Sequence, residues 1–320
     1  MHSYNGKRKR RRRVSTFRVF VLVLLVLGIV FAIVKLMPDK LGEGFAGLFE
    51  KDIMESVTPM AGGDSEFSKA WPDSKRVNML LLGTNQELTD TIMLASFDTE
   101  LKRVDVISVP RDTYYERPDY PGPAYQKINS VYETEGVDGI AKAVSDVLGG
   151  VPVHYYAVIT DDGVARVVNA MGGVEMDVPI DMQYDDPEQG LHIDLKQGLQ
   201  TLDGDQAVQY LRFRKGYPTG DLGRVDAQQA FLKQVFDRTI SLSFPKVAAA
   251  FIAEVETNIG AEMMVRLGKA AVGMDKSAFA TYTTPGESDM QDGASYYFAD
   301  EALTMEMMTN IYSMKAEETE

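Results

Sequence analysis

Short apolar runs alternate with amphipathic stretches through most of the chain, and this pattern predicts strands and helices in alternation. Runs that are β-branched or alternating predict strands at residues 77–83, 91–98, 103–110, 153–159, 174–179 and 279–284. Helical spacing of apolar positions predicts helices over residues 136–148, 162–170, 205–210, 226–240, 246–256, 261–274 and 299–314. We therefore expect an α/β fold, in the form of an α-β-α layered domain with a central mixed β-sheet.

The N-terminal part has a different pattern, a cationic run followed by a long apolar stretch. Residues 7–13 are all Lys or Arg, and residues 19–37 are apolar or glycine except for Lys35. As a helix, the apolar stretch would span about 28 Å, which is close to the hydrocarbon thickness of a bilayer. It predicts a transmembrane signal anchor at 19–37, with residues 1–18 as a basic cytoplasmic N-terminus. The alternatives are a cleavable signal peptide, disfavoured because the following KLMPDKLGEG lacks a small-residue cleavage site, and a nucleic-acid-binding arm.

The rest of the chain divides by composition into a linker, a domain and a tail. Residues 38–75 are rich in Gly, Asp, Ser and Pro, which is typical of a stalk. Residues 76–315 carry the alternating strand and helix signals, and residues 316–320 form an acidic tail. Together with the anchor, this organisation predicts a single-pass protein of the cell membrane whose C-terminal domain is extracytoplasmic.

Charge and composition exclude several classes of function. The formal net charge is −14, but residues 1–40 hold ten basic residues and one acidic residue, so the remainder carries −23. So acidic a domain repels phosphate backbones, and we expect no nucleic-acid partner. There is no cysteine, which excludes disulfides, thiolate metal sites and a cysteine nucleophile, and the three histidines lack partner spacing. The glycine-rich phosphate loops and the G-x-S-x-G nucleophile motif are absent from the sequence.

Arginine is scarce in this acidic body, yet four arginines stand at the ends of predicted elements. Arg212 and Arg214 lie two apart in an apparent strand, which would place both guanidinium groups on one face. Arg111 follows a predicted strand, and Arg224 precedes a predicted helix that carries Gln228. Guanidinium forks and helix N-termini both favour phosphate or diphosphate groups. The alternative for each arginine is an ordinary surface ion pair with one of the many carboxylates.

Three aspartates are close in sequence to these elements: Asp90, Asp112 and Asp221. A carboxylate beside a phosphate-binding arginine cluster commonly holds a divalent cation or accepts a proton from an attacking hydroxyl. Hard oxygen ligands favour Mg²⁺, although their spacing in the sequence does not by itself define a metal site.

Eight motifs, in order, make residues 77–298 resemble the LytR-CpsA-Psr (LCP) family. They are NMLLLGTN, LTDTIML, VDVISVPRDT, QKINSVY, NAMGGVEMDVP, GLQTLDGDQAVQYLRFR, GDLGRVDAQQAFL and PGESDM…GASYYF. A short cationic N-terminus, one transmembrane helix and an outside domain are also similar to that family.

The resemblance implies a Mg²⁺-dependent phosphotransferase of cell-wall biogenesis. Such an enzyme moves a teichoic-acid-like or capsule glycopolymer from a polyprenyl-diphosphate carrier onto peptidoglycan, whose sugar hydroxyl attacks the phosphorus next to the glycan. By motif, the residues implied to bind the diphosphate are Arg111, Arg212, Arg214, Arg224 and Gln228. Asp90 is implied as metal ligand and proton acceptor, and Asp90, Arg111, Arg212 and Arg214 form the implied catalytic set.

Two positions depart from the family pattern. Asn85 stands where the family usually has a metal-ligand Asp, and Leu88 stands where it has an active-site Arg. An asparagine carbonyl can coordinate Mg²⁺ without adding charge, whereas a leucine offers nothing to a phosphate. The alternative is therefore a catalytically weak relative that binds polyprenyl-diphosphate precursors or acts as a scaffold in envelope assembly. A transcriptional attenuator is the least favoured interpretation, because it requires a cytoplasmic acidic domain.

Overall fold

The computed structural model describes residues 52–85, 88–186, 191–214, 216–217, 221–241, 253–271, 274 and 276–314. The predicted cytoplasmic segment, the anchor and the acidic tail at 316–320 lie outside these residues, as does most of the helix predicted at 246–256. Within the described ranges, no helix is long and apolar enough to cross a bilayer.

The described residues form twelve strands, seven α-helices and four short 3₁₀ helices. The strands are β1 (Arg76–Asn85), β2 (Leu88–Asp98), β3 (Arg103–Ser108), β4 (Tyr155–Thr160), β5 (Val174–Val178), β6 (Met182–Asp186), β7 (Leu191–Leu195), β8 (Gly198–Leu202), β9 (Val255–Thr257), β10 (Phe279–Thr283), β11 (Gly286–Gln291) and β12 (Ala294–Ala299). The α-helices are α1 (Glu66–Ala70), α2 (Val131–Val147), α3 (Asp161–Ala170), α4 (Gly204–Arg212), α5 (Asp221–Ser241), α6 (Ala261–Ala270) and α7 (Glu301–Tyr312). The 3₁₀ helices are Ile53–Ser56, Pro123–Gln126, Ile128–Ser130 and Lys276–Ala278.

A six-stranded mixed sheet with the order β10-β3-β2-β1-β4-β9 forms the centre of the domain, which confirms the α/β prediction. β2 runs antiparallel to both β1 and β3. β4 is parallel to β1, and β10 is parallel to β3. Consequently β1, β3, β4 and β10 all end at the edge where β2 begins. We call this the C-terminal edge, and the segments that follow four strands meet there.

The inner strands are buried on both faces, which explains why they read as continuous apolar runs rather than strict alternation. Every residue of β1 from Arg76 to Thr84 is buried, and β2 and β3 are buried after their first residues. Covering elements include α2 against β2, α3 against β1 and β4, and α5 against β10. The central strands are therefore shielded from water on each side, as strands in a layered domain are.

Three two-stranded pairings, β5 with β8, β6 with β7 and β11 with β12, lie outside the central sheet. Of these six strands, the sequence pattern predicts only β5. β11 is exposed along its whole length, so it carries no apolar face that a sequence pattern could reveal. The end of the helix predicted at 246–256 is also wrong, because Val255–Thr257 pairs with β4 as a strand.

The described part of the predicted stalk packs against the domain. The Met60 amide donates a hydrogen bond to the Val153 carbonyl at 2.7 Å, and Phe67 is buried with its ring edge-on to Tyr312, 4.8 Å between centroids. Residues from 52 onward thus share the core with the later elements, while the boundary at residue 76 stays a prediction.

Candidate active site

Asp90 reaches the C-terminal edge from a β-bulge. In the β1–β2 pair, Gly83 lies opposite Thr91 and Thr84 lies opposite Thr89, so Asp90 has no residue opposite it. An extra residue of this kind bends the strand and redirects its side chain. The carboxyl group is only 4% exposed, so it is held in the interior of the edge.

Arg111 contacts this carboxylate. It follows β3 after Pro110, and its Nη1 donates a hydrogen bond to Asp90 Oδ1. The loop is fixed from the backbone, because the Arg111 carbonyl accepts the amide of Asn129 at 3.2 Å. Thr89 in turn donates its hydroxyl to the Asn129 carbonyl at 3.2 Å. The structure therefore brings together two of the predicted site residues, and places them at one edge of the sheet.

The predicted strand around Arg212 and Arg214 is wrong. A capping box starts α4, in which Asp203 accepts the Gln206 amide and Gln206 bonds back to the Asp203 amide. The helix then continues to Arg212 as its last residue, because its apolar positions pack and nothing in this stretch breaks the helix. The chain turns extended at Phe213, and Arg214 beyond it is exposed. The two guanidinium groups are therefore not neighbours on one strand face.

Arg212 is half-buried in an acidic surrounding. Burial lowers the pKa of its guanidinium, while the charges of Asp161, Asp90 and Asp186 act in the opposite direction. Neither its Nε nor its Nη2 has a hydrogen-bond partner among the residues that the structure describes. Buried guanidinium donors without partners are costly, and an anionic ligand would satisfy them.

Arg224 and Gln228 lie one turn apart on the same face of α5, and both side chains are buried. Arg224 is in the first turn of the helix, where the backbone dipole also favours an anion. Their neighbour Gln229 ties α5 to the C-terminal edge, since its Nε2 donates to Ser108 Oγ at 3.1 Å and to the Tyr282 carbonyl at 3.0 Å. Gln228 Nε2 has no hydrogen-bond partner within the described part of the chain.

Asp161 and Asp186 are charges at the site that the sequence analysis missed. Asp161 is buried and opens α3 directly after β4, whose last residue, Thr160, caps that helix. The available signal was an aspartate directly after a buried strand. Aspartate is, however, common at helix starts that belong to no functional site. Only the parallel pairing of β1 with β4 places Asp161 beside Asp90.

Asp112, Asn85, Leu88 and Asp221 are the other residues that the sequence analysis singled out. Asp112 accepts a hydrogen bond from Lys127 at 2.9 Å and lies 3.7 Å from Arg111 Nε. The backbone of Asn85 pairs with Leu88 where β1 meets β2. The side chains of Asn85 and Asp221 lie outside the described residues.

A metal site made of protein ligands alone does not fit the described residues. They include no group of three or more His, Asp or Glu side chains that could hold a metal ion. Asp90 does present a hard oxygen ligand beside the arginines, and Mg²⁺ is commonly held by one or two carboxylates together with substrate phosphates. The donor set thus fits a cation only when a phosphate group shares it.

The arrangement combines cationic and amide donors with a buried carboxylate at one sheet edge. Guanidinium donors can bind phosphate oxygens bidentately, and they neutralise charge that develops during phosphoryl transfer. A carboxylate held next to them can accept the proton of an attacking hydroxyl.

Comparisons with known proteins agree on one family. The LytR_cpsA_psr family matches residues 52–313. The polyisoprenyl-teichoic acid–peptidoglycan teichoic acid transferase TagV of Bacillus subtilis (strain 168) is 31% identical over 225 residues, which cover 68% of this chain and 57% of TagV. The corresponding transferase TagU of Bacillus cereus is 30% identical over 249 residues, 74% of this chain and 78% of TagU. The crystal structure of B. subtilis TagV is similar with a TM-score of 0.62 and 26% identity, over 75% of this chain and 96% of that one.

Proposed function

This chain belongs to the LytR_cpsA_psr family, and from that membership we propose that it is a phosphotransferase of cell-envelope assembly. Its donor is a glycopolymer linked to polyprenyl diphosphate, and its acceptor is peptidoglycan. The relatives TagV and TagU are named polyisoprenyl-teichoic acid–peptidoglycan teichoic acid transferases. The observation that carries the proposal is Arg212, a half-buried guanidinium whose Nε and Nη2 have no hydrogen-bond partner among the described residues. A diphosphate supplies the partner that such a group requires.

In the proposed reaction, an acceptor sugar hydroxyl attacks the phosphorus next to the glycan. The new O–P bond forms as the bridging P–O bond of the diphosphate breaks, and its electron pair leaves with polyprenyl phosphate. Arg212, Arg224 and Gln228 bind the diphosphate oxygens, with Arg214 at the outer side of the site. Arg111 orients Asp90, and Asp90 accepts the hydroxyl proton. The chain's contribution is positioning and charge neutralisation, which dominate phosphoryl transfer.

We propose that the reaction uses Mg²⁺. Asp90 would hold the ion together with substrate phosphate oxygens, with Asn85 as a neutral second ligand. When bound, the ion would neutralise charge on the phosphate oxygens. Because Asn85 contributes no charge, we expect weaker Mg²⁺ affinity than a pair of carboxylates would give.

The proposed location follows from the sequence. The anchor at residues 19–37 holds the protein in the cell membrane, with residues 1–18 in the cytoplasm and the domain outside. This orientation places the C-terminal edge in the compartment that contains peptidoglycan.

The test is release of polyprenyl phosphate by the detergent-solubilised full chain. A synthetic polyprenyl-diphosphate glycan, peptidoglycan fragments and Mg²⁺ are supplied, and product is measured for the wild type and for Arg212→Ala. We expect the variant to lose about 10²–10³-fold in kcat/KM, because charged donors to the transition state are removed. Arg166→Ala is the matched control, since Arg166 forms an exposed ion pair with Glu254, and it should keep wild-type activity.

A catalytically weak precursor-binding protein is the second candidate, favoured by Asn85 and Leu88 at positions where the family pattern is charged. The same experiment separates the two functions. Tight binding of the donor without turnover at any Mg²⁺ concentration would support the binding protein and contradict the transferase.

A further inference from the structure

Two pairs of aromatic rings lie on the loop after β3 and on β12, next to the C-terminal edge, and we call Tyr114, Tyr120, Tyr125 and Phe298 together the aromatic shelf. Tyr114 and Phe298 stack with 5.4 Å between ring centroids and 29° between ring planes. Tyr120 and Tyr125 form a second pair at 6.2 Å and 39°. Tyr125 is 39% exposed and the other three rings are partly exposed. None of these residues has a role in the proposed phosphoryl transfer.

The shelf is built on a braced backbone. Asp112 and Tyr114 pair with Tyr297 of β12, whose amide donates to the Asp112 carbonyl at 2.9 Å and whose carbonyl accepts the Tyr114 amide at 2.8 Å. Tyr296 donates its hydroxyl to the Pro123 carbonyl at 2.9 Å, and so joins the β11–β12 hairpin to the 3₁₀ helix that carries Tyr125. The rings are thus held in place before any ligand arrives, which reduces the entropy cost of binding.

The outer ring pair has its own support in a buried arginine. The Arg117 guanidinium lies 4.0 Å from the ring centroid of Tyr120. It also donates hydrogen bonds to the Tyr125 carbonyl at 3.2 Å and to Ser130 Oγ at 3.1 Å. Cation–π contact and hydrogen bonds together fix the second pair of rings relative to the loop that follows β3.

A continuous chain of contacts joins the shelf to the proposed active site. Arg111, which pairs with Asp90, has its Nε 3.7 Å from Asp112 Oδ2, and Asp112 Oδ1 is 2.9 Å from Lys127 Nζ. Lys127 Nζ lies 5.8 Å from the ring centroid of Tyr296. That ring packs edge-on against Tyr114 and Phe298. The shelf is therefore connected to Asp90 through the side chains of Arg111, Asp112, Lys127 and Tyr296.

The chemistry of the shelf fits a sugar chain. Pyranose rings present apolar C–H faces that pack on aromatic rings, while tyrosine hydroxyls remain available for sugar hydroxyls and amides. Exposed carboxylates belong to the same segments, with Glu116 and Asp119 in the loop after β3, Glu287 opposite Phe298 and Asp289 opposite Tyr296 on β11. Negative charge at this position repels a polyanionic polymer and leaves a glycan without phosphate groups as the better ligand.

We propose that the aromatic shelf binds the acceptor glycan strand of peptidoglycan and presents its hydroxyl to Asp90. This inference rests on the proposed function for the identity of the acceptor. It adds a second binding surface to the proposed function. The arginines would bind the donor, and the aromatic shelf would bind the acceptor.

The experiment measures acceptor and donor separately in the full-length protein, with Phe298→Leu and Tyr125→Ala as shelf variants. Binding of a peptidoglycan oligosaccharide free of glycopolymer is titrated without donor, and the acceptor KM is measured with donor present. We expect each variant to weaken oligosaccharide affinity and raise the acceptor KM by about 10-fold, the size of one aromatic contact. Affinity for the polyprenyl-diphosphate donor should stay unchanged. Leu199→Ala is the control, because Leu199 is an exposed apolar residue on β8, outside the shelf.

Each outcome has a distinct meaning. Unchanged oligosaccharide affinity in both folded variants overturns the inference even if the wild type is an active transferase. Weakened donor affinity with an unchanged acceptor KM also overturns it, and assigns the shelf to the donor polymer. If the wild type shows no turnover, the proposed function fails, and the oligosaccharide titration still decides whether the shelf binds glycan. Thermal unfolding of each variant identifies any that do not fold, and Tyr120→Leu then takes its place.

Discussion

The buried and half-buried arginines of this protein differ in whether a carboxylate forms a direct ion pair with the guanidinium group. Arg76 is buried in the central sheet, where its Nη1 lies 2.8 Å from Asp105 and its Nε lies 3.5 Å from Asp98. Arg117 is buried with a hydrogen bond to Glu135. Arg212 lacks such a pair among the described residues, although three aspartates lie near enough to affect its pKa. A direct ion pair, rather than burial, therefore distinguishes Arg76 and Arg117 from Arg212, the residue proposed to bind phosphate.

A single buried histidine leads us to expect that the free energy of unfolding depends on pH. His154 is buried beside β1, and its Nδ1 accepts the Asn78 amide at 2.9 Å. Burial lowers the pKa of this imidazole from 6.5 to about 4. Between those values the unfolded chain binds more protons than the folded one, so His154 lowers the free energy of unfolding as the pH falls from 6.5 towards 4. The expected total is about 3 kcal/mol, read from denaturant unfolding across this range.

A matched pair of variants isolates this effect from the titration of carboxylates. His154→Asn keeps an acceptor for the Asn78 amide and removes the titrating group, so its stability should fall less steeply between pH 6.5 and 4. His192→Asn changes an exposed histidine and should follow the wild type. Identical slopes for the wild type and both variants would show that His154 is not held neutral by burial.

Elements with a continuous apolar run or a clear helical period were predictable, and those with neither were not. The runs at 77–83 and 91–98 are buried on both faces, and the 162–170 pattern has one apolar side, so each signal follows from burial. α2 begins at Val131 rather than at Gly136, because that glycine, at φ 65°, allows two helical pieces to join across a kink. The sequence LRFR alternates like a strand, but the helix that starts at the capping box upstream includes its first two residues and ends at Arg212. At this position the helix that the capping box favours forms, rather than the strand that the four-residue alternation predicts.

The capping box is testable at this scale. Asp203→Ala removes the side chain that accepts the Gln206 amide at 2.9 Å. We expect a loss of about 1 kcal/mol in the free energy of unfolding, since one helical N–H loses its partner. Arg212 stands at the other end of the same helix, so donor affinity should fall as well. Asp205→Ala, in the first turn, is the control, and equal stability of the two variants would speak against a role for the cap.

At the scale of the whole molecule, sheet order creates the site. Asp90, Arg111 and Asp161 belong to three different strand ends, and the order β3-β2-β1-β4 brings these ends together. Asp90 and Arg111 are predicted as site residues from the sequence, because they stand beside strand signals and in family-like motifs, and in the fold the two side chains contact each other. The sequence alone could not place Asp161 or the aromatic shelf, since both depend on which strands and hairpins become neighbours in the fold.

The elements around the C-terminal edge would separate the donor-binding residues from the acceptor-binding residues. The arginines proposed to bind the donor belong to α4 and α5, while the shelf belongs to the loop after β3 and the hairpin after β10. Donor phosphate and acceptor hydroxyl would therefore approach Asp90 from different elements. An in-line displacement needs the attacking and leaving oxygens on opposite sides of the phosphorus.

The chemical structure of the reaction product distinguishes a transferase from a hydrolase and from a binding protein. The full chain is incubated with a polyprenyl-diphosphate-linked glycopolymer, peptidoglycan and Mg²⁺, and the sugar product is examined by ³¹P NMR and mass spectrometry. We expect a phosphodiester that joins the polymer to a peptidoglycan sugar hydroxyl, with one polyprenyl phosphate released for each bond formed. A free glycan phosphate formed by water, or bound donor that is never consumed, would contradict the proposed function.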